Sequence, residues 1–291
     1  MPVCQHPSFD RPPVTTKLWR YTDLPKFIDL LTSRKLWLTN AEVLAADDPY
    51  EGLPGAVQFP HRIWKSIDEV PPHLKNQILR LCSRGTDGTP EAAFRSWFMV
   101  EEQRCIMAQT GRRDFYVNCW HAAGHESVAM WKIYGAPGAG VAIISNGGRI
   151  ETALSENEQS LHLGAVQYQD MNAFQIGTAN VFDTITKKRK SYEYEHEVRL
   201  VYWHTGESHD ALVNDEWNEE TMRFDNLVED TRPISPGVSL NCDIDVLIDC
   251  VIVSPFAPPW YAAMIERLRD QVGCCFKVKP SSILKAPVVV G

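Results

Sequence analysis

The segment Glu-His-Glu-Val-Arg-Leu-Val-Tyr-Trp at positions 195–203 constrains this chain more than any other stretch. Its alternation puts Val198, Leu200 and Tyr202 on one face and Glu195, Glu197 and Arg199 on the other, because side chains of a strand repeat every two residues. A strand of this kind needs a sheet around it. A second constraint lies near the end of the sequence. An apolar strand at 247–253 precedes a helical repeat over 258–272, with Tyr261, Met264, Ile265, Leu268 and Val272 inward and Gly273 as C-cap. A returning strand at 275–278 completes a unit with the length of a β-α-β crossover. The two features predict an α+β protein with a mixed sheet and flanking helices.

At 291 residues the chain is long enough for one large domain or two modest ones. Pro2, Pro7, Pro12 and Pro13 mark residues 1–16 as an extended arm, and 17–291 is expected to be a single α+β domain. A strand at 18–22 runs into Asp23, an N-cap, and then into Leu24, Phe27, Ile28 and Leu31 at helical spacing, with Pro25 in the first turn. A strand at 36–39 is followed by a loop, 45–55, rich in Asp, Pro and Gly. Two helices are expected within 71–109, split around 85–90. Strands at 115–120, 140–144 and 161–168 and a short helix at 127–134 follow. Residues 178–190 look like an amphipathic helix closed by Lys187, Lys188, Arg189 and Lys190, cations suited to a helix C-terminus or to a phosphate.

Twenty-nine basic against 37 acidic residues leave a net charge of −8, so no global positive field draws in nucleic acid. Nine acids and two arginines fall within 204–235, expected to be a solvated insertion with a short helix around Trp217. The eight cysteines form no CxxC pair and sit largely in apolar runs, so they read as cytosolic thiols that pack as small hydrophobes. With no apolar run near the roughly 18–20 residues that cross a bilayer, the expected location is the cytoplasm, with no membrane partner.

The strongest chemical signal is Glu195-His196-Glu197. Two carboxylates on one strand face, roughly 7 Å apart along it, repel each other and call for a cation, a proton or a ligand hydroxyl. The bland alternative is that Arg199 and the nearby lysines neutralise an edge strand facing water. In Trp19-Arg20-Tyr21-Thr22, Arg20 and Thr22 share a face, and an arginine there suits phosphate, unless it merely pairs with Asp23 or a glutamate. Asp47, Asp48 and Glu51, joined by Glu197, suggest a Mg²⁺ site, although turn formation by Asp48-Pro49 outweighs it. His121 and His125, followed by Glu126, have the spacing of a helical metal pair, but the first ends a strand, which favours hydrogen bonding. Residues 135–140 read as a tight connection, and Trp131 with Tyr134 could stack a flat ring or pack in the core.

In order along the chain, Leu18-Trp19-Arg20-Tyr21, Leu36-Trp37-Leu38-Thr39, Asp48-Pro49-Tyr50-Glu51, Cys119-Trp120, Met130-Trp131 with Tyr134, Gly140-Val141-Ala142-Ile143, Tyr194-Glu195-His196-Glu197-Val198-Arg199-Leu200 and Ser254-Pro255 resemble a bacterial family. That family is catalogued as domain of unknown function twenty-nine seventy-one. Asp47 stands where an asparagine is expected. More distantly, an arginine on the first strand and a late E-x-E strand resemble ADP-ribosyltransferases of the arginine-serine-glutamate type, with Cys119-Trp120-His121 in place of the Ser-Thr-Ser strand. The resemblance implies an ADP-ribosyltransferase-like fold, an α+β architecture whose mixed sheet is split, and cleavage of the nicotinamide–ribose bond of NAD, with transfer to a protein or nucleic-acid acceptor by a bacterial toxin or phage-defence effector. It implies catalytic roles for Glu197, Glu195 and Arg20, and NAD contacts from Arg20, Tyr21, Thr22, His121, Trp131, Tyr134, Lys188 and Arg189. The rivals are a Mg²⁺-dependent phosphodiesterase or nuclease and a non-catalytic module that binds a nucleotide or a partner.

Overall fold

The computed structural model describes residues 2–53, 64–82, 88–136, 138–171, 180–204, 217–218, 220–221, 223–224, 233 and 235–284. Its first half runs β1 (Lys17–Asp23), α1 (Leu24–Ser33), β2 (Lys35–Asn40), α2 (Ala41–Leu44), α3 (Pro72–Cys82), α4 (Pro90–Gly111), β3 (Phe115–Ala122), α5 (Val128–Tyr134), β4 (Gly140–Asn146) and α6 (Gly147–Ala153). The second half runs β5 (Leu161–Ala165), β6 (Gln167–Gln169), α7 (Asp183–Thr186), β7 (Lys187–Arg189), β8 (Glu197–Trp203), β9 (Trp217–Asn218), β10 (Arg223–Phe224), β11 (Gly237–Asn241), α8 (Ile244–Leu247), β12 (Cys250–Val253), α9 (Tyr261–Gln271) and β13 (Lys277–Pro280).

Nine of the described strands form one mixed sheet. Its main path is β11-β2-β3-β1-β4-β12-β13, with β8 lying between β3 and β5. All its pairs are antiparallel except β12 with β13, the parallel pair that the crossover through α9 requires. Strand β3 is the branch point. Along one edge it pairs with β8 from Phe115 to His121. On the other it meets β2 only at Tyr116 and Val117, and β1 only at His121 and Ala122. Between those contacts the sheet splits, and side chains bridge the gap. Asn118 Nδ2 donates to the Trp37 carbonyl at 2.8 Å, and Arg20 Nη1 donates to the Cys119 carbonyl at 3.0 Å.

Alternation in the strands separates two faces. Leu18, Trp120, Val141, Ile143, Val198 and Leu200 enter the main core, where α1, α6, α8 and α9 cover the sheet. Helix α1 shows why the local sequence folds this way. Asp23 accepts from the Lys26 amide at its start, Pro25 costs no bond in the first turn, and Phe27, Leu30 and Leu31 are buried, each worth about 1.5–3 kcal/mol. The opposite face carries two smaller clusters. Trp19, Tyr21, Ala142 and Ile144 pack under Met130 and Trp131 of α5. Phe115, Val117 and Val201 pack under Phe9, Phe182 and Ile185.

Several expectations change. The arm is not loose: Val3 and Asp10 bridge to Leu161 and Ala165 of β5, and Phe9 is buried. The strand at 195–203 begins only at Glu197, because Glu195 closes a 3-10 turn and His196 adopts φ +39°. Nor is β8 an edge, since β3 and β5 flank it. The helix expected over 178–190 shrinks to α7, and Lys187, Lys188 and Arg189 form β7, parallel to β6. Residues 172–179 lie outside the described set, as does most of the acidic stretch 204–235; within it Trp217 is on a strand, not a helix. Cys274 is buried and Cys275 exposed, and both precede the returning strand, which starts at Lys277 instead of 275.

Candidate functional site

Between the two smaller clusters, the same sheet face carries Cys119 and His121 of β3 beside Glu197 and Arg199 of β8. The register pairs Cys119 with Arg199 and His121 with Glu197. These residues floor a cavity of about 320 Å³. Its walls include Arg20, Tyr21 and Thr22 of β1, Tyr134 at the end of α5, Lys188 of β7, Tyr192 and Glu195 of the following turn, and Asp48 and Glu51 of the loop after α2. The split in the sheet opens here, which is how Arg20, in line with Leu18 along β1, reaches this side.

A buried chain of charges holds the floor together. Arg199, only 2% exposed, forms a bidentate pair with Glu51 at 2.5 and 2.8 Å and holds Glu197 through Nε at 2.7 Å and Nη2 at 3.2 Å. Its Nη1 also donates to the Ile185 carbonyl at 2.8 Å. Lys188 Nζ reaches Glu195 at 2.6 Å and Glu197 at 3.3 Å, so one ammonium bridges the two carboxylates. Tyr134 donates its hydroxyl to the other Glu195 oxygen at 2.5 Å. The Glu197 amide donates to the Tyr168 hydroxyl at 2.8 Å.

These contacts set the protonation states. Burial alone would raise the Glu197 carboxyl, but Arg199 and then Lys188 outweigh it and hold the pKa down at about 2. Burial would likewise neutralise Lys188, yet Glu197 and Glu195 lift it above the ordinary lysine value. Cys119 is pushed well up by burial and then by Glu197, to which its thiol donates, so it stays a thiol. Burial, with the bonded Glu195 added, also keeps Tyr134 a phenol. Arg20, half-buried at the cavity wall, differs from Lys188 and Arg199. Burial lowers its pKa, and among the described residues no carboxylate lies within ion-pair distance of it. A guanidinium facing a cavity without a counterion is a place for an anionic ligand group.

Of the ten site residues that the resemblance implies, Arg20, Tyr21, Thr22, His121, Tyr134, Lys188, Glu195 and Glu197 line this one cavity. Two do not. Trp131 is 0% exposed, meets Tyr21 edge-on at 4.9 Å and donates its Nε1 to Glu126, so its ring belongs to the core. Arg189 turns outward to pair with Asp48 at 2.7 Å and to stack over Tyr50 at 4.7 Å. The less favoured Mg²⁺ grouping does not assemble: Asp48 is engaged by Arg189, Glu51 and Glu197 flank Arg199, and no metal-holding group of three such ligands occurs among the described residues. Sequence reasoning missed Tyr192 and the tie between Glu51 and Arg199. Glu51 carried a signal as an acid of the 45–55 loop and Arg199 as a neutraliser of the glutamate pair, but nothing in the sequence joined the two.

No helix among the described residues is long and apolar enough to cross a membrane. No protein-family model matches the chain, and neither a curated protein nor a solved structure matches it.

Proposed function

We propose that the chain is an ADP-ribosyltransferase-like enzyme that cleaves the nicotinamide–ribose bond of NAD and passes ADP-ribose to a protein or nucleic-acid acceptor. One observation carries this reading: Arg20 and Glu197, 177 positions apart, line the same cavity. Bond cleavage builds positive charge on the ribose, and a carboxylate beside it lowers that barrier, as in glycoside chemistry. The cluster of Glu51, Glu195 and Glu197 against Lys188 and Arg199 has one negative charge in excess, which suits such a cation. Glu197 takes the position next to the ribose and Glu195 the position next to the acceptor. Arg20 holds the pyrophosphate, and Tyr134 or Tyr192 packs against the nicotinamide ring. A cavity of about 320 Å³ takes the nicotinamide ribose end, leaving the adenosine end outside.

The test is incubation with NAD, followed by measurement of free nicotinamide and of ADP-ribose attached to protein or nucleic acid. Wild type releases nicotinamide, and Glu197→Gln slows release at least about 100-fold, the lower end of what a positioned charge contributes. Equal inactivity of both proteins gives the site to a non-catalytic nucleotide-binding role.

A further inference from the structure

We propose that His121 is the general base of this site and that the acceptor it serves is an uncharged hydroxyl, resting on the ADP-ribosyl reading above. The imidazole is 4% exposed and lies on the cavity floor. Its Nδ1 sits 2.5 Å from the Glu195 carbonyl. A carbonyl oxygen only accepts, so Nδ1 carries the proton, and in the neutral ring Nε2 is left with a lone pair. Among the described residues no group hydrogen-bonds Nε2. Burial holds the ring below the usual histidine pKa and so favours the neutral, basic form at pH 7. A histidine with one nitrogen tied to the backbone and the other free over a cavity has the form of a proton acceptor. Because His121 and Glu197 are direct cross-strand partners on one face, the base lies beside the carboxylate assigned to the ribose.

The surroundings select the acceptor. Glu195 and Glu197 repel a carboxylate, and a guanidinium keeps its proton against an imidazole. A hydroxyl, from an alcohol side chain, a sugar or water, keeps its proton at neutral pH and needs a base to lose it. In the step, the hydroxyl oxygen bonds to the ribose C1′ and the C1′–N bond to nicotinamide breaks. That electron pair leaves with the now neutral nicotinamide, the hydroxyl proton passes to His121 Nε2, and the imidazolium later releases it to solvent.

Two variants test this. His121→Asn keeps an amide donor near Nδ1 for the Glu195 carbonyl and removes Nε2, while His121→Gln places a non-basic amide near Nε2. Nicotinamide release from NAD is followed in water and in water with methanol as probe alcohol, which distinguishes hydrolysis from alcohol transfer by ADP-ribose against methyl ADP-ribose. Both variants, folded by thermal melting, are expected to lose about 10²–10⁴-fold in kcat with KM little changed. The acid limb of the wild-type profile is expected to disappear with them. That limb reflects His121 among the groups that face it, namely Tyr21, His125, Lys188, Glu195, His196 and Glu197. Variants that turn over at the wild-type rate with the same acid limb overturn the assignment of His121 alone. A wild type that releases no nicotinamide overturns the ADP-ribosyl reading, and this proposal with it.

Discussion

Arg199 shows how much one side chain does in this molecule. It is one of the largest fully buried side chains, and it faces two carboxylates from distant parts of the sequence. Replacing it with leucine leaves Glu51 without its cation and Glu197 with Lys188 alone. Removing one partner of a buried pair typically costs about 3–5 kcal/mol, so Arg199→Leu is expected to lower the unfolding free energy by that amount, read as a lower urea midpoint with an unchanged slope. Glu197 adds a pH dependence of known sign. Its folded pKa, about 2, lies below the ordinary value of 4.5, so its contribution to stability is complete above about 4.5 and is lost as the pH falls towards 2. Glu197→Gln is expected to flatten that part of a stability–pH curve measured by denaturant unfolding. The acid pair and Arg20 were legible in the sequence because charge inside an apolar strand pattern is conspicuous. The roles were less so. Arg199 read as the neutraliser of a water-facing edge, whereas it neutralises a buried floor, and its bond to Glu51 spans 148 positions that no local pattern encodes.

At the scale of elements, β7 is where local and long-range forces disagree. The run of Lys187, Lys188 and Arg189 reads as the cationic end of a helix, yet each cation has an acid to meet: Asp183, then Glu195 with Glu197, then Asp48. Extended geometry beside β6 lets consecutive side chains point to different partners, which a helix turn does not. The order and type of elements in the crossover through α9 were legible because its period is local, although the ends lie up to about three residues from the expected ones and the C-cap is Val272, not Gly273. The arm was not, because its ties are long-range. It lies over β5 only because position 164 has no side chain: a Cβ there would stand 2.8 Å from the Cβ of Phe9. Gly164→Ala is therefore expected to push Phe9 off the strand, with a stability loss of about 1–3 kcal/mol, the usual cost of overpacking. Limited proteolysis checks this, with cleavage inside the arm appearing at protease levels that leave the wild type intact.

Across the whole molecule, the cavity is a consequence of the way the sheet divides. Strands β1 and β2 take separate ends of one edge of β3, and Arg20 and Asn118 close part of the gap with side chains instead of backbone bonds. Strand residues from β1, β3 and β8 thereby surround a space that a continuous sheet would fill. Sequence patterns identify strands and faces, but the branch at β3 depends on which strands pair, and that is not written in any one segment. Arg20 ties this architecture to binding, since its Nη1 is spent on the Cys119 carbonyl while its charge has no acidic partner among the described residues. Ligand binding to the folded state alone stabilises it by mass action, about 2.7 kcal/mol at a concentration 100 times Kd. NAD is thus expected to raise the melting temperature of the wild type in a concentration-dependent way, and ADP, which keeps the pyrophosphate, to give part of the effect. Arg20→Gln removes the charge and keeps a polar side chain at this half-buried position, so the fold should survive while the shift with either ligand largely vanishes. A variant that melts like the wild type and still responds fully to NAD would show that the pyrophosphate lies elsewhere, because every other lysine and arginine lining the cavity is paired with a carboxylate.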